Sequence, residues 1–438
     1  MSECWTPNTD EIAALFQPLI AFPRLILAVS GGSDSVALMH LVARWTASLG
    51  SSAPNIVVAT VDHGLRAGSR DEAEAVAAAA RALGFEHRVL TWSGPKPARG
   101  LQAEARRMRY RLLGEYAVTA GVGRCAVLTA HTREDQAETL LMRLARGSGP
   151  DGLQAMRPER PLTPFPNVVL ARPLLGVSRK ALRSFLGASG IAWFEDPSNA
   201  DRRFERIRLR DADAVLANLG LTPEMVTLAA ARQRRAVDAL EAATDALQAA
   251  AFHSHAGAYA SCDGALFADA PEEIRVRLIA RILAMFGGAS PPAQLAEIER
   301  LVRALTTQTS VQVTLGGCEV RACRREIRVF RERGRADLPP IRLEPGEQAT
   351  WDRRFVIRLA TSSPPVMVQP LDRASLVRLR QTSLRTLPPY RAAATLPAVW
   401  SGEDLLVIGG LTPRMAADLV SPPGVEASFI FAGHLGRS

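Results

Sequence analysis

One stretch constrains this chain more than any other: Leu25-Ile26-Leu27-Ala28-Val29-Ser30-Gly31-Gly32-Ser33-Asp34-Ser35. The apolar run over residues 25–29 suits a strand buried on both faces, as inside a parallel sheet. Gly31 and Gly32 permit a sharp turn and a close approach of backbone to ligand. Ser30, Ser33 and Ser35 add hydroxyl donors, and Asp34 falls where a helix N-cap is expected. Residues 36–43 then read as the opening of a helix. Free N–H groups and the positive end of a helix dipole converge on one spot, which favours a phosphate.

This is not a Walker A loop, because no lysine follows the glycines, and it is not G-x-G-x-x-G. Ser-Gly-Gly-x-Asp-Ser resembles the pyrophosphate-binding loop of the N-type ATP pyrophosphatases, the PP-loop enzymes. That resemblance implies cleavage of ATP between the α- and β-phosphates, with AMP passing to an oxygen of the substrate. The bland alternative is an ordinary glycine turn between strand and helix, which the strand–turn–helix context makes the weaker reading.

At 438 residues the chain exceeds one ordinary core, so two or three domains are expected. Its composition is globular, with 47% hydrophobic and 22% charged residues. The net charge of +9 points to a polyanionic partner, most simply nucleic acid. An arginine-rich composition from a GC-rich genome is the bland reading of that charge. Cys4, Cys125, Cys262, Cys318 and Cys323 are odd in number and scattered, with no C-x-x-C. That pattern argues for a reducing compartment and against a disulfide framework or a zinc ribbon. No apolar run approaches the length of a membrane span, and residues 1–10 lack a secretory pattern. A cytoplasmic enzyme without a membrane partner is expected.

Beyond the first loop, residues 56–61 form a second buried strand ending at Asp62-His63-Gly64-Leu65-Arg66. Helices are predicted over 71–83, 102–120 and 135–146, and strands over 85–92 and 125–130. Strands alternating with helices indicate a doubly wound parallel α/β sheet, in which ligands bind at the carboxyl ends of the strands. Ser30, Asp62 and His131 all fall there, which predicts one shared site. Residues 147–173, rich in Gly and Pro, read as loop. The predicted domains are a catalytic domain over 1–211, a mainly helical domain over 212–332 closed by a strand pair around Gly316-Gly317, and a small β-rich domain over 341–438.

Three further clusters carry charge in patterns that suit chemistry. Asp135 and Glu138 are spaced i, i+3 and share a helix face near its N-terminus. They either complement the helix dipole or, with His131, hold Mg²⁺ or a substrate ammonium. Arg106 and Arg109 lie one helical turn apart, as a solvated basic face or as contacts to phosphates. Arg202, Arg203, Arg206, Arg208 and Arg210, with Phe204, make a basic and aromatic RNA surface. In a helix Arg206, Arg208 and Arg210 would spread around the axis, whereas in an extended segment they would share one side.

In this order the blocks resemble the tRNA(Ile)-lysidine synthetases. Residues 62–66 match the D-H-G-L-R of V-D-H-G-L-R, 105–110 match A-R-x-x-R-Y, and 131–139 match H-x-x-D-D-Q-A-E-T. Residues 143–149 match R-x-x-R-G-S-G, and 195–199 match E-D-x-S-N. The match is dense across residues 24–210. Glu134 departs from it, standing where the family has the first of two aspartates.

The resemblance implies ligation of L-lysine to the wobble cytidine of a CAU-anticodon tRNA(Ile) through an adenylated cytidine. It implies ATP contacts from Ser30, Gly31, Gly32, Ser33, Asp34, Ser35, Asp62, His63 and Arg66, and catalytic roles for Asp34, Asp135, His131 and Arg109. Asp34 and Asp135 are the candidate Mg²⁺ ligands, Asp135 and Glu138 the candidate lysine acids. Arg106, Arg202, Arg203, Arg206, Arg208 and Arg210 are the candidate tRNA contacts, and a homodimer is an open alternative to a single chain. A PP-loop tRNA thiolase, the runner-up, depends on reactive or cluster-binding cysteines, and the placement of the cysteines here counts against it.

Overall fold

In the computed structural model the described residues are 5–64, 69–97, 100–119, 123–195, 205–255, 257–288, 291–323, 325–334, 338–382, 388–409 and 425–429. They divide into two compact units, residues 1–237 and 238–436, with the division falling inside one long helix.

The first unit follows the alternation predicted from the apolar runs. Its elements are α1 (Thr9–Phe16), β1 (Arg24–Ala28), α2 (Ser33–Leu49), β2 (Asn55–Asp62), α3 (Ser69–Ala82), β3 (Glu86–Thr91), α4 (Leu101–Thr119), β4 (Cys125–Leu128) and α5 (Arg133–Ala145). They continue with α6 (Pro150–Leu153), β5 (Glu159–Leu162), β6 (Phe165–Ala171), α7 (Arg179–Ala188), α8 (Glu205–Asp211), α9 (Asp213–Asn218) and α10 (Pro223–Ala251). The sheet order is β3-β2-β1-β4-β6-β5. All neighbours are parallel except β5, which pairs antiparallel with β6.

Strand periodicity splits β1 between two cores. Leu25, Leu27 and Val29 face the core built with α1, α2 and α7, while Ile26 faces the core under α4. Gly114 lets α4 lie directly on β6, since a Cβ there would sit 2.1 Å from the Phe165 ring. The chain leaves β1 toward β2 on one side and returns to β4 on the other. That reversal opens a crevice at the carboxyl ends of β1 and β4, where doubly wound sheets bind ligands.

Residues 147–173, expected as loop, contain α6 and the β5–β6 hairpin. Pro161, Pro164 and Pro166 mask the apolar run Val168-Val169-Leu170. Pro161 is tolerated because β5 is the edge strand, where a missing N–H breaks no central ladder, while Pro164 lies in the turn and Pro166 precedes the part of β6 that pairs with β4, which begins at Val168.

The second unit opens on the remainder of α10. It contains β7 (Phe252–His255), β8 (Tyr259–Asp263), α11 (Gly264–Asp269), α12 (Glu272–Phe286), α13 (Leu295–Thr307), β9 (Ser310–Leu315), β10 (Cys318–Cys323) and β11 (Glu326–Arg331). The strands expected around Gly316-Gly317 belong to a five-stranded antiparallel sheet in the order β7-β8-β11-β10-β9. Leu278, Ile279, Ile282 and Phe286 of α12 are buried in its core. The later part has β12 (Ile341–Leu343), β13 (Gln348–Trp351), β14 (Phe355–Leu359), β15 (Val366–Pro370), α14 (Arg373–Thr382), α15 (Tyr390–Ala393), β16 (Pro397–Ser401), β17 (Asp404–Ile408) and β18 (Val425–Phe429), in two small sheets. Among the described residues no helix is long and apolar enough to cross a membrane.

Candidate active site

The glycine loop is held shut by Ser35. The Ser30 N–H donates to Ser35 Oγ at 3.2 Å, and Ser35 Oγ donates to the Gly32 carbonyl at 2.9 Å. The N-cap of α2 is Gly32, not Asp34 as expected, and Asp34 lies in the first helical turn. The reason is that Ser33 already has helical backbone, so the extended residue before it takes the cap position. Gly32 has no side chain to cap with, which leaves the first-turn N–H groups without a side-chain acceptor. This is the arrangement that an anionic ligand completes.

Gly31 adopts φ +89°, and its carbonyl accepts the Phe194 N–H at 2.9 Å. Gly32 also forms an isolated parallel bridge with Phe194. The segment before the E-D-x-S-N block is thereby tied to the phosphate loop. Its Glu195 accepts from Trp193 Nε1 at 3.0 Å.

Across the crevice, α5 presents its acids. Thr132 and Asp135 form a reciprocal capping box, with Asp135 Oδ2 accepting from Thr132 N–H at 2.8 Å and from Thr132 Oγ1 at 2.9 Å. The other oxygen of Asp135 accepts from Arg179 Nη2 at 2.6 Å. Arg179 Nη1 donates to Glu138 Oε1 at 3.0 Å, and Arg179 Nε lies 3.6 Å from Asp34 Oδ2. One guanidinium therefore meets three of the four carboxylates predicted for the site, Asp62 being the other. Glu138 also accepts from Arg210 Nε at 2.8 Å, with Arg206 Nε at 4.0 Å.

These surroundings set the protonation states. Burial pushes the Asp34 carboxyl up to about 6, against the pull of Arg179 and with a further push from Asp135. Burial acts on Asp135 in the same direction, but Arg179 and the Thr132 hydrogen bonds outweigh it and hold that carboxyl below its ordinary value. Burial lowers His131 to about 3, opposed by Asp135 and reinforced by Arg172 and Arg106. Its Nδ1 lies 2.8 Å from Thr129 Oγ1. The imidazole is neutral at pH 7, so it offers a hydrogen bond rather than a charge.

Asp62 ends β2 and accepts the Gly64 N–H at 2.8 Å. His63 packs edge-on against Trp92, at 6.0 Å between centroids. Burial, then the charge of Arg109, holds its imidazole below the ordinary value. Arg109 and Arg106 are exposed on α4, with Arg106 5.2 Å over the Tyr110 ring. Arg206, Arg208 and Arg210 lie on the helix α8, so they spread around its axis, and Arg206 and Arg210 turn toward Glu138. Arg66, Arg202, Arg203 and Phe204 lie outside the described residues.

Sequence reasoning missed Arg179 and Arg172. Arg179 follows Ser178, the N-cap of α7, and its backbone N–H donates to Glu134 Oε2 at 3.0 Å. Glu134, the departure from the paired-acid block, thus caps α7. The Ser–Arg start of a helix was a visible signal, but nothing local showed which acids it would meet. Arg172, buried just past β6, donates to the Arg157 carbonyl at 2.7 Å, and burial pushes it down to about 10. Arg143 of the R-x-x-R-G-S-G block is a brace, donating to the Gly152 and Ala155 carbonyls at 2.9 and 2.8 Å.

A serine-lined glycine turn at the switch point of a parallel sheet, facing clustered carboxylates, defines a PP-loop nucleotide-binding domain, and the family model described as the PP-loop domain matches residues 6–215. A tRNA(Ile)-lysidine synthase from Ruegeria pomeroyi is 41% identical over 403 residues, covering 91% of this chain and 91% of that one. One from Bradyrhizobium diazoefficiens is 46% identical over 304 residues, covering 68% of this chain and 82% of that one. The chain belongs to the tRNA(Ile)-lysidine synthase family. Among solved structures, the U34-tRNA thiolase NcsA from Methanococcus maripaludis aligns at TM-score 0.43 and 14% identity, over 52% of this chain and 78% of that one. A likeness that slight carries no functional argument.

Proposed function

We propose that this chain joins L-lysine to C2 of the wobble cytidine in a CAU-anticodon tRNA(Ile), using ATP, in the cytoplasm. The observation that carries the reading is the meeting of Asp34 with Asp135 and Glu138 on one guanidinium. It sets acids suited to an ammonium beside a loop suited to a pyrophosphate, as two-step adenylation and amine transfer require.

In the first step the cytidine O2 attacks the α-phosphate, and pyrophosphate leaves. Ser30, Gly31, Gly32, Ser33 and Ser35 cradle the leaving phosphates with backbone N–H and hydroxyl groups. Asp62, His63 and Arg66 are proposed to complete the ATP site. Asp34, with Asp135 as the alternative to its lysine role, is a hard oxygen donor beside that loop that would hold Mg²⁺, which supplies neutralisation of charge on the phosphates when bound. Neutral His131 and the cation Arg109 are proposed to orient the adenylated base.

In the second step the deprotonated lysine ε-amine attacks C2, the C2–O bond to the phosphate breaks as AMP leaves, and the proton lost from nitrogen passes to a site carboxylate. Asp135 and Glu138 hold the incoming amino group. Exposed Arg106 and Arg208 are proposed to supply phosphate contacts that position the tRNA while base contacts select the anticodon, whereas Arg206 and Arg210, expected to join them, face Glu138. The domains beyond residue 211 are proposed to grip the rest of the tRNA.

The thiolase alternative lacks a suitable thiol among the described residues of the first unit. Their cysteine, Cys125, is buried within β4, and burial pushes its thiol up. The deciding experiment supplies purified protein with unmodified tRNA, ATP, Mg²⁺ and radiolabelled lysine. Lysine label in tRNA supports the reading. Absence of lysine label, with sulfur transferred from a thiol donor, overturns it.

A further inference from the structure

We propose that Arg179 is a positioning residue that couples the phosphate loop to the amine-recognising acids, by holding Asp34, Asp135 and Glu138 on one guanidinium. The inference rests on the reading of Asp135 and Glu138 as the acids that receive lysine.

The geometry is a fork with three tines. Nη2 and Nη1 make hydrogen bonds to Asp135 and Glu138, at 2.6 and 3.0 Å, while Nε faces Asp34 at 3.6 Å. Asp34 comes from α2, behind the glycine loop, and the other two acids come from α5. Glu138 keeps only 5% of its side chain exposed, and Asp135 11%. Carboxylates so close and so dry repel one another unless a cation lies between them. Charge-assisted bonds in such surroundings are strong and directional.

Arg179 is itself anchored. Ser178 Oγ accepts the Ala181 N–H at 3.1 Å, Glu134 accepts the Arg179 N–H at 3.0 Å, and Leu182, Phe185 and Leu186 bury α7 in the core that also holds α2. The fork therefore projects from a fixed base, and motion of one acid is felt by the others.

Coupling follows from competition. An ammonium that engages Asp135 and Glu138 takes over oxygens that now accept from Nη1 and Nη2. A guanidinium relieved of two carboxylates exerts a stronger net pull on the anionic phosphates at the adjacent loop. Lysine thus tightens ATP binding, and by reciprocity ATP tightens lysine binding. Lysine in place of Arg179 keeps a point charge near Asp34 but cannot bridge the two α5 acids as a planar fork does.

The test measures equilibrium binding of α,β-methylene-ATP with Mg²⁺ to the full chain, with and without lysine. Wild type is expected to bind the nucleotide about fivefold or more tighter with lysine present. Arg179→Gln removes that dependence. Arg179→Lys retains nucleotide affinity but weakens lysine about tenfold or more, because an ammonium cannot hold Asp135 and Glu138 together in the arrangement that receives the ligand. The proposal is overturned if wild type shows no coupling. It also falls if folded Arg179→Gln keeps the coupling, or if Arg179→Lys restores both affinities equally. If neither variant folds, as judged by its melting transition, Arg179 is structural and the proposal falls as well. Wild-type incorporation of lysine into tRNA, run in parallel, tests the functional reading separately.

Discussion

The Phe194 N–H donates to the carbonyl of Gly31 at 2.9 Å, across the turn that links β1 to α2. Gly31 holds φ +89°, and a Cβ there would lie 3.2 Å from Phe194 Cδ2. Gly31→Ala therefore strains the backbone by about 1–2 kcal/mol and displaces Phe194. ATP affinity is expected to fall about tenfold or more as the loop N–H groups lose their aim. Nucleotide titration alongside a thermal melt checks this, and unchanged affinity in the variant would remove the loop from the ATP site.

Asp34 costs the fold stability once it is ionised. Its carboxyl is raised by burial to about 6, so the folded state holds a proton that the unfolded state releases from about pH 4 upward. The stability that goes with the protonated acid is complete below pH 4 and is lost as pH rises through 6. Asp34→Asn is thus expected to match wild type near pH 4 and to exceed it by about 2–3 kcal/mol at pH 8, while pyrophosphate release disappears. Urea unfolding at the two pH values and a pyrophosphate assay read both arms. A variant that still releases pyrophosphate refutes the catalytic assignment.

Gln136 is buried at 2% exposure and exchanges two hydrogen bonds with Met156, Nε2 to the carbonyl at 2.8 Å and Oε1 from the N–H at 2.7 Å. The carbonyl also accepts from Arg234 at 2.9 Å, so truncation strands chiefly the N–H. Gln136→Ala should destabilise the first unit by about 1–3 kcal/mol. Gln136→Glu should be no milder, because it sets an oxygen against the Met156 carbonyl. Denaturant midpoints decide, and a neutral Gln136→Ala would mean that water takes over the lost bonds.

Arg106 and Arg210 should separate in a salt titration. Arg106 is exposed beside Tyr110, whereas Arg210 is engaged with Glu138. Arg106→Ala is expected to lower the slope of log affinity for tRNA against log salt by about 0.7–0.9, the loss of one phosphate contact. Arg210→Ala should instead raise the KM for lysine. Equal effects of the two variants on the slope would place both on the tRNA backbone.

Much of this molecule was legible in its amino-acid order, because the signals are local. The apolar run before Ser30-Gly31-Gly32, and the apolar runs before Asp62 and His131, marked strands whose ends carry polar groups. A strand's burial on both faces and a glycine's freedom to turn are written within a few residues. The β5–β6 hairpin was hidden, because Pro161 is acceptable within a strand only at an edge, and which strand forms the edge is a property of the whole sheet. Glu134 likewise looks like one of a pair of acids, and becomes a helix cap only once α7 is packed beside α5.

What the sequence determined by itself was the phosphate loop, the alternating α/β pattern of the first unit and the membership of Asp34, Asp135 and Glu138 in one site. The tertiary structure decided how those acids are arranged, through Arg179, which lies 44 residues from Asp135 and 41 from Glu138 along the chain. No periodicity spans such a separation. The meeting arises because the chain reverses its winding between β1 and β4, bringing α2, α5 and the start of α7 to one crevice, where buried Asp135 and Glu138 and half-buried Asp34 require a cation.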